Sequence, residues 1–196
     1  LLSISCYIAC YKLTTERIVA PAGSAEKMDL KKTLKGLIKN KPLIAILCAS
    51  LIFMMNMMLV GAVNVYLFKD YFSSAGTLSF VSIAQTIAVL LCAPFIKTLT
   101  TKFGKKEMSL VGLLIASAAY FFLFFLKDID AMTFIYISFI GFIGFGLFNT
   151  VIWAFVTDVI DYQEYLTDLR EDGTVYSVYS FARKVGQALA GGIGGF

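Results

Sequence analysis

The chain has 196 residues, of which 59% are hydrophobic and 15% charged, with a formal net charge of +4 and a mean hydropathy of +0.80. Soluble domains run nearer half apolar and a quarter charged, so a soluble globular fold is excluded and an integral membrane protein is expected. The cations are spread over separate segments, which argues against a nucleic-acid-binding surface.

Residues 1–11 are apolar but lack a basic leader region and a cleavage site, so they are expected to be the tail of a transmembrane helix rather than a signal peptide. A start on Leu1 and an end at Phe196, inside a Gly-rich apolar run, are expected of a fragment. Residues 12–41 are polar and rich in lysine, with Leu30, Leu34, Leu37 and Ile38 at helical spacing. They read either as a basic amphipathic helix on the inner leaflet or as a solvated tether between two helical bundles. Both readings make this segment a cytoplasmic middle loop.

A bilayer core needs about 20 apolar residues per helix. Residues 42–68, 77–96, 108–126 and 131–156 meet that length, and residues 174–196 begin a further, truncated span. Together they form an all-α bundle within 42–196. The strands of a membrane barrel would be about half as long and would alternate. Basic residues alternate between loops. Lys12, Arg17, Lys27, Lys31, Lys32, Lys35, Lys39 and Lys41 precede the first full span, Lys97, Lys102, Lys105 and Lys106 lie between the second and third, and Arg170 lies before the last. The intervening loops carry Lys69 and Lys127. The positive-inside rule therefore puts the basic loops in the cytoplasm, with the protein in a plasma membrane, that of a bacterial inner membrane. The four cysteines, Cys6, Cys10, Cys48 and Cys92, lie in apolar runs without a CxxC pair, and the chain has no His, so they are expected to be packing residues and no metal site is expected.

Polar residues inside spans mark a protein interior or a watery path. In the last span Tyr176, Ser180, Arg183, Lys184 and Gln187 fall on one arc about 100° wide at the helical repeat. Lys184 lies about 15 Å along the helix from Thr174, near mid-membrane. It reads as a cavity-facing cation in a substrate or ion path, or as a structural lysine paired to a carboxylate on another helix. Arg183 reads either as part of that path or as an anchor near the inner face. Asn56 and Asn64 share a face of the first full span, and Ser79, Ser82, Gln85 and Thr86 line a face of the second. Asn149 and Trp153, at i and i+4 on the fourth, could set an amide beside a stacking surface. Such groups serve either a solute path or interhelical hydrogen bonds. Gly141, Gly144 and Gly146, and the run Ala188, Ala190, Gly191, Gly192, Gly194 and Gly195, suit close helix contacts or hinges.

Between the last two spans Asp158, Asp161 and Glu164 recur every third residue, followed by Asp168, Arg170, Glu171 and Asp172. The spacing fits no Ca²⁺ loop, and a glycosidase-like carboxylate pair would sit outside the bilayer. A charge cluster that pairs with cationic loops across the cytoplasmic face, closing a gate in one state, is the reading that remains.

The stretch "DVIDYQEYLTDLREDGTVYSVYSFARKVGQALAGG" resembles the loop-and-helix signature of the glycoside–pentoside–hexuronide:cation symporters of the major facilitator superfamily, through Asp158, Asp161, Tyr162, Glu164, Thr167, Arg170, Gly173, Tyr176, Ser177, Lys184 and Gly186. The resemblance implies a twelve-helix fold of which this chain is most of the C-terminal half, and uptake of a sugar driven by Na⁺ or H⁺. It implies a place near the cation and sugar sites for Lys184, and cytoplasmic gate contacts for Asp158, Asp161, Glu164 and Arg170. Tyr176, Ser180, Gln187, Asn149 and Trp153 complete the expected path. The family often has Gly where this chain has Asp168, and "KTLTTKFGKKE" has Thr101 where the superfamily loop has Asp. The main cation and sugar carboxylates of the family lie in an N-terminal half that this chain does not include. The implied partners are a small sugar, the bilayer and that other bundle. The implied chemistry is transport without a cofactor or covalent step. A same-fold carrier of an organic anion or lysolipid-like solute, or a non-transporting sugar sensor, are the alternatives. An enzyme is not expected, since no nucleophile–base pair, metal-ligand set or phosphate loop stands out.

Overall fold

A computed structural model describes residues 2–14, 36–126, 129–167, 170 and 172–195. Most of the expected middle loop, together with Asp168 and Glu171, lies outside the described residues. Every regular element among those described is helical. Two compact units divide the chain at Leu34/Lys35.

In the first unit, α1 (Leu2–Leu13) carries Tyr7, Ile8, Tyr11 and Leu13 exposed along its length. It runs two residues past the apolar tail expected from sequence. Cys6 and Cys10 are exposed here.

The second unit is a bundle of five helices: α2 (Lys41–Tyr66), α3 (Leu78–Phe103), α4 (Lys105–Phe125), α5 (Ala131–Thr167) and α6 (Asp172–Gly194). Four helical stretches among the described residues are long and apolar enough to cross a membrane: Lys41–Tyr71, Leu78–Phe103, Lys105–Phe125 and Ala131–Thr167. The first is α2 with a wide π-type turn, Leu67–Tyr71, continuing its end. Helix α6 is not among them, because Arg183, Lys184 and Gln187 lower its apolarity.

Three of the helices run further than their apolar segments. Helix α2 starts where Asn40 caps it, its side chain accepting from the Leu43 N–H at 3.0 Å, with Pro42 in the first turn where a missing N–H costs nothing. Helices α3 and α4 meet at Gly104 alone, which turns the chain at φ 94°, a backbone region that favours glycine. The lysines expected in a loop there sit on two helix ends instead. Helix α5 begins on Asp130, whose carboxylate accepts from the Met132 N–H, and continues past Val156 to Thr167. Its 37 residues span about 55 Å, well beyond the about 30 Å of a hydrocarbon core.

Helix α5 is the centre. It packs against α3 and α4, while α2 packs against α6. Phe53 meets Phe145 edge to face and Phe148 at a tilt, and Phe134 meets Phe68 edge to face and Phe72 at a tilt near the end of α2. Small residues set the closest approaches. A Cβ on Gly112 would lie 2.8 Å from the Gly144 carbonyl oxygen, and one on Gly186 2.5 Å from that of Leu51, so α4–α5 and α2–α6 touch backbone to backbone. Gly141 faces the Tyr120 ring and Gly146 faces Cys92 and Val89, whereas Gly191 and Gly192 have open space around them. The expectation of helix contacts therefore fails at Gly191 and Gly192 among the described residues. Of the cysteines, Cys92 alone is buried, so the packing expectation fails for Cys6, Cys10 and Cys48. Leu90, Phe121, Phe124 and Phe181 stand exposed on the outside, as side chains that face lipid tails do.

Candidate functional site

Helix α6 has a buried seam through Val175, Tyr179, Gly186 and Ala190 and a polar arc beside it. Tyr179 is almost fully buried and meets Trp153 of α5 edge to face at 5.5 Å. Trp153 also stacks on Tyr176 at 6.2 Å and 27°, and both of these rings are about half exposed. Arg183 lies over the same aromatics, its guanidinium carbon 5.2 Å from the Trp153 ring and 5.7 Å from that of Tyr179. Such contacts offset about 0.5–2 kcal/mol, less than the about 2.5–3.5 kcal/mol that a mid-span cation costs. Arg183 Nη2 and Gln187 Nε2 each donate to Met54 Sδ of α2 at 3.7 Å. Lys184 is exposed and donates to Gln187 Oε1 at 3.2 Å. Among the described residues neither Arg183 nor Lys184 makes an ion pair. The structural carboxylate partner considered for Lys184 is thus not among them.

The structure brings together Trp153, Tyr176, Arg183, Lys184 and Gln187, and Ser180 lies half-buried on the same helix. It does not bring Asn149 into this cluster. One turn before Trp153, Asn149 lines a separate cleft of about 30 Å³ with Gln85, Met57, Val89, Phe142, Phe145 and Gly146, between α2, α3 and α5. That volume admits a water or two and no sugar. The other polar stripes separate as well: Asn64 is buried while Asn56 is exposed, and Ser79 and Ser82 are exposed, with the Thr86 hydroxyl donating to the Ser82 carbonyl of its own helix. Tyr179 and Met54 were not legible as site residues by polarity. The i, i+4 pair Tyr179–Arg183 was the available signal for the first.

Asp158, Asp161 and Glu164 stand on a helix, not in a loop, because α5 continues through them. Steps of three residues fall about 60° short of a full turn each, so the three carboxylates fan round the helix. Asp158 faces the start of α4 and takes Lys105 at 2.7 Å. Arg170 takes Glu164 at 2.8 Å, Asp172 at 3.1 Å and Asp161 at 3.6 Å. The expected pairing with another basic segment is seen for Asp158, while Arg170 staples the end of α5 to the start of α6. Asp172 and then Glu164 hold the Arg170 guanidinium above its ordinary pKa, so it stays a cation at any working pH. All these groups are substantially exposed, so water and salt screen the pairs and each adds little to stability.

A buried contact lies beneath this surface. Asn40 donates to Gln163 Oε1 at 3.0 Å, and both side chains are fully buried. It ties the start of α2 to the far end of α5. Neither residue stood out in the sequence; the Asn-Lys-Pro run is a helix-start signal that could have marked Asn40, and Gln163, which lies among charges, has none.

The profile of a family described as MFS/sugar transport protein matches residues 1–196. An uncharacterized symporter, YjmB, of Bacillus subtilis is 29% identical over 194 residues, covering 99% of this chain and 42% of the relative. A glucuronide carrier protein homolog of Escherichia coli is 29% identical over 191 residues, covering 97% and 41%. An isoprimeverose transporter of Lactiplantibacillus pentosus is 29% identical over 183 residues, covering 92% and 38%. The chain spans about two fifths of the length of these curated relatives. No solved structure matches.

Proposed function

Because the chain belongs to the MFS/sugar transport protein family, we propose that it is the C-terminal bundle of a secondary sugar transporter that couples uptake to Na⁺ or H⁺ and works by alternating access. The observation that carries the reading is the α5–α6 face, where stacked Trp153 and Tyr176 adjoin Arg183, with Lys184 and Gln187 on the same helix. Aromatic faces suit the C–H faces of a pyranose, and amide and ammonium groups suit its hydroxyls. A second bundle covering this face would enclose the solute near the midplane and supply the remaining cation ligands. The names of the relatives, a symporter, a glucuronide carrier homolog and an isoprimeverose transporter, support a sugar solute and ion coupling. They leave open whether the sugar is acidic or neutral. The Lys105–Asp158 pair and the Arg170 staple would form part of a gate on the cytoplasmic side, in a bacterial inner membrane.

The test is sugar uptake by the full-length protein in vesicles, with and without an imposed Na⁺ or H⁺ gradient. Gradient-dependent accumulation of a sugar is the expected result. Accumulation of none across a panel of glycosides, pentosides and hexuronides overturns the transport reading.

A further inference from the structure

Two adjacent positive charges on the α6 face have no ion-pair partner among the described residues. The ion pairs of the described residues use Asp158, Asp161, Glu164 and Asp172, and their cations are Lys105 and Arg170. Asp158, on the same helix as Trp153, lies about 7.5 Å further along the axis. Its charge is already met by Lys105 Nζ, at 2.7 Å from each carboxylate oxygen.

Arg183 is nonetheless held in place. Its guanidinium lies over Trp153 and Tyr179, and its Nη2 donates to Met54 Sδ, a weak acceptor. A guanidinium seated on aromatic faces keeps its donor edge for a planar, charged acceptor, which it meets with two parallel hydrogen bonds. Lys184, on the next residue, has one donor on Gln187 and two left over. Beside Arg183, Trp153 and Tyr176 offer a stacked, half-exposed aromatic surface.

We propose that Arg183, set by Trp153 and Tyr179 and seconded by Lys184, selects a sugar that carries an acid group, with the acid on the Arg183–Lys184 pair and the ring against Trp153. The proposal rests on the sugar-transport reading and deepens it: that reading is neutral about substrate charge, and this face is not. Preference for an acid would come from the cations, and the aromatic platform would serve acidic and neutral sugars alike. Carboxylate and sulfonate share the chemistry required, and their shapes differ enough for separate arms of one experiment.

The experiment is binding to the purified full-length protein, followed by tryptophan fluorescence or calorimetry, with three probes: a methyl glucoside, the matching methyl glucuronide and the matching sulfoquinovoside. At least one acidic probe should bind about tenfold or more tightly than the glucoside, as expected of a charge-assisted bidentate contact. Arg183→Gln should collapse that ratio towards one, and Arg183→Lys should restore only part of it, because a point charge lacks the fork. Equal or tighter binding of the neutral glucoside, binding of no acidic probe, or a ratio unmoved by Arg183→Gln in a variant that still binds, would each overturn the proposal. Uptake of the same probes in vesicles is scored separately. Uptake of the glucoside in preference to both acids would defeat the acid selectivity and leave sugar transport standing, whereas acid binding without any uptake would defeat transport alone.

Discussion

Lys184 is the exposed member of the cation pair, and its only described partner is an amide on its own helix. Removing its charge should therefore leave folding nearly intact and act on the solute or ion path. Lys184→Ala is expected to lower gradient-driven sugar uptake about tenfold or more with normal membrane insertion, as loss of a cavity cation in a transporter should. Lys184→Arg should recover little, since a fork is a poor substitute for a compact ammonium. Vesicle uptake normalised to inserted protein is the measurement, and near-normal accumulation by the Ala variant would reject a role in the path. Asn40 presents the opposite case. It is buried, caps α2 and bonds to Gln163, whose Nε2 has no partner among the described residues. Asn40→Ala would orphan Gln163 Oε1 as well, at a cost of about 1–3 kcal/mol. A clear drop in the thermal midpoint of the detergent-solubilised protein is expected, and an unchanged midpoint would show the contact to be dispensable.

At the scale of elements, the length of each apolar run marked the spans, and the Lys/Arg alternation marked which of their ends cluster. Helix ends were harder to read, because apolar length reports where lipid is and not where hydrogen bonding stops. Residues 157–167 carry charges and still continue α5, with no Gly or Pro to end it before Gly173. The one-residue turn at Gly104 was similarly hidden behind lysines that read as loop. The polar arc of α6 was legible from spacing alone, whereas its contacts with Trp153 and Met54 depend on how α5 and α2 lie against it. The Lys105–Asp158 pair links two helices through exposed groups, so its effect on stability should be small, about 0–1 kcal/mol. A shift of that size still changes a two-state balance up to about fivefold. Lys105→Glu and Asp158→Lys should each slow transport while sparing expression, and the double exchange should recover much of the rate. A double variant no better than either single one would separate the pair from the transport cycle.

For the whole molecule, the apolar exterior requires a bilayer around it, and the positive-inside rule predicts an orientation within one that labelling can test. Ser74, in the turn before α3, and Thr101, near the end of α3, lie at opposite ends of that helix. In the full-length protein, cysteine at Ser74 should react with an impermeant thiol reagent from outside the cell, and cysteine at Thr101 only after access to the cytoplasmic side. Inverted labelling would overturn the orientation drawn from the positive-inside rule.

The length of α5 has a mechanical consequence. Its closest crossing is at Gly144, against Gly112 of α4, and Asp158 lies 14 residues beyond, about 21 Å along a stiff rod. Treated as a lever with its fulcrum at that crossing, a tilt of about 10° carries Asp158 sideways by about 3.6 Å, enough to stretch the 2.7 Å contact with Lys105 beyond the about 4 Å reach of an ion pair. Trp153, nearer the fulcrum, swings by only about 2 Å in the same motion. A small displacement at the aromatic platform is thereby magnified into a broken contact with Lys105, and a contact remade there is geared down to a fine adjustment of the ring a solute would rest on.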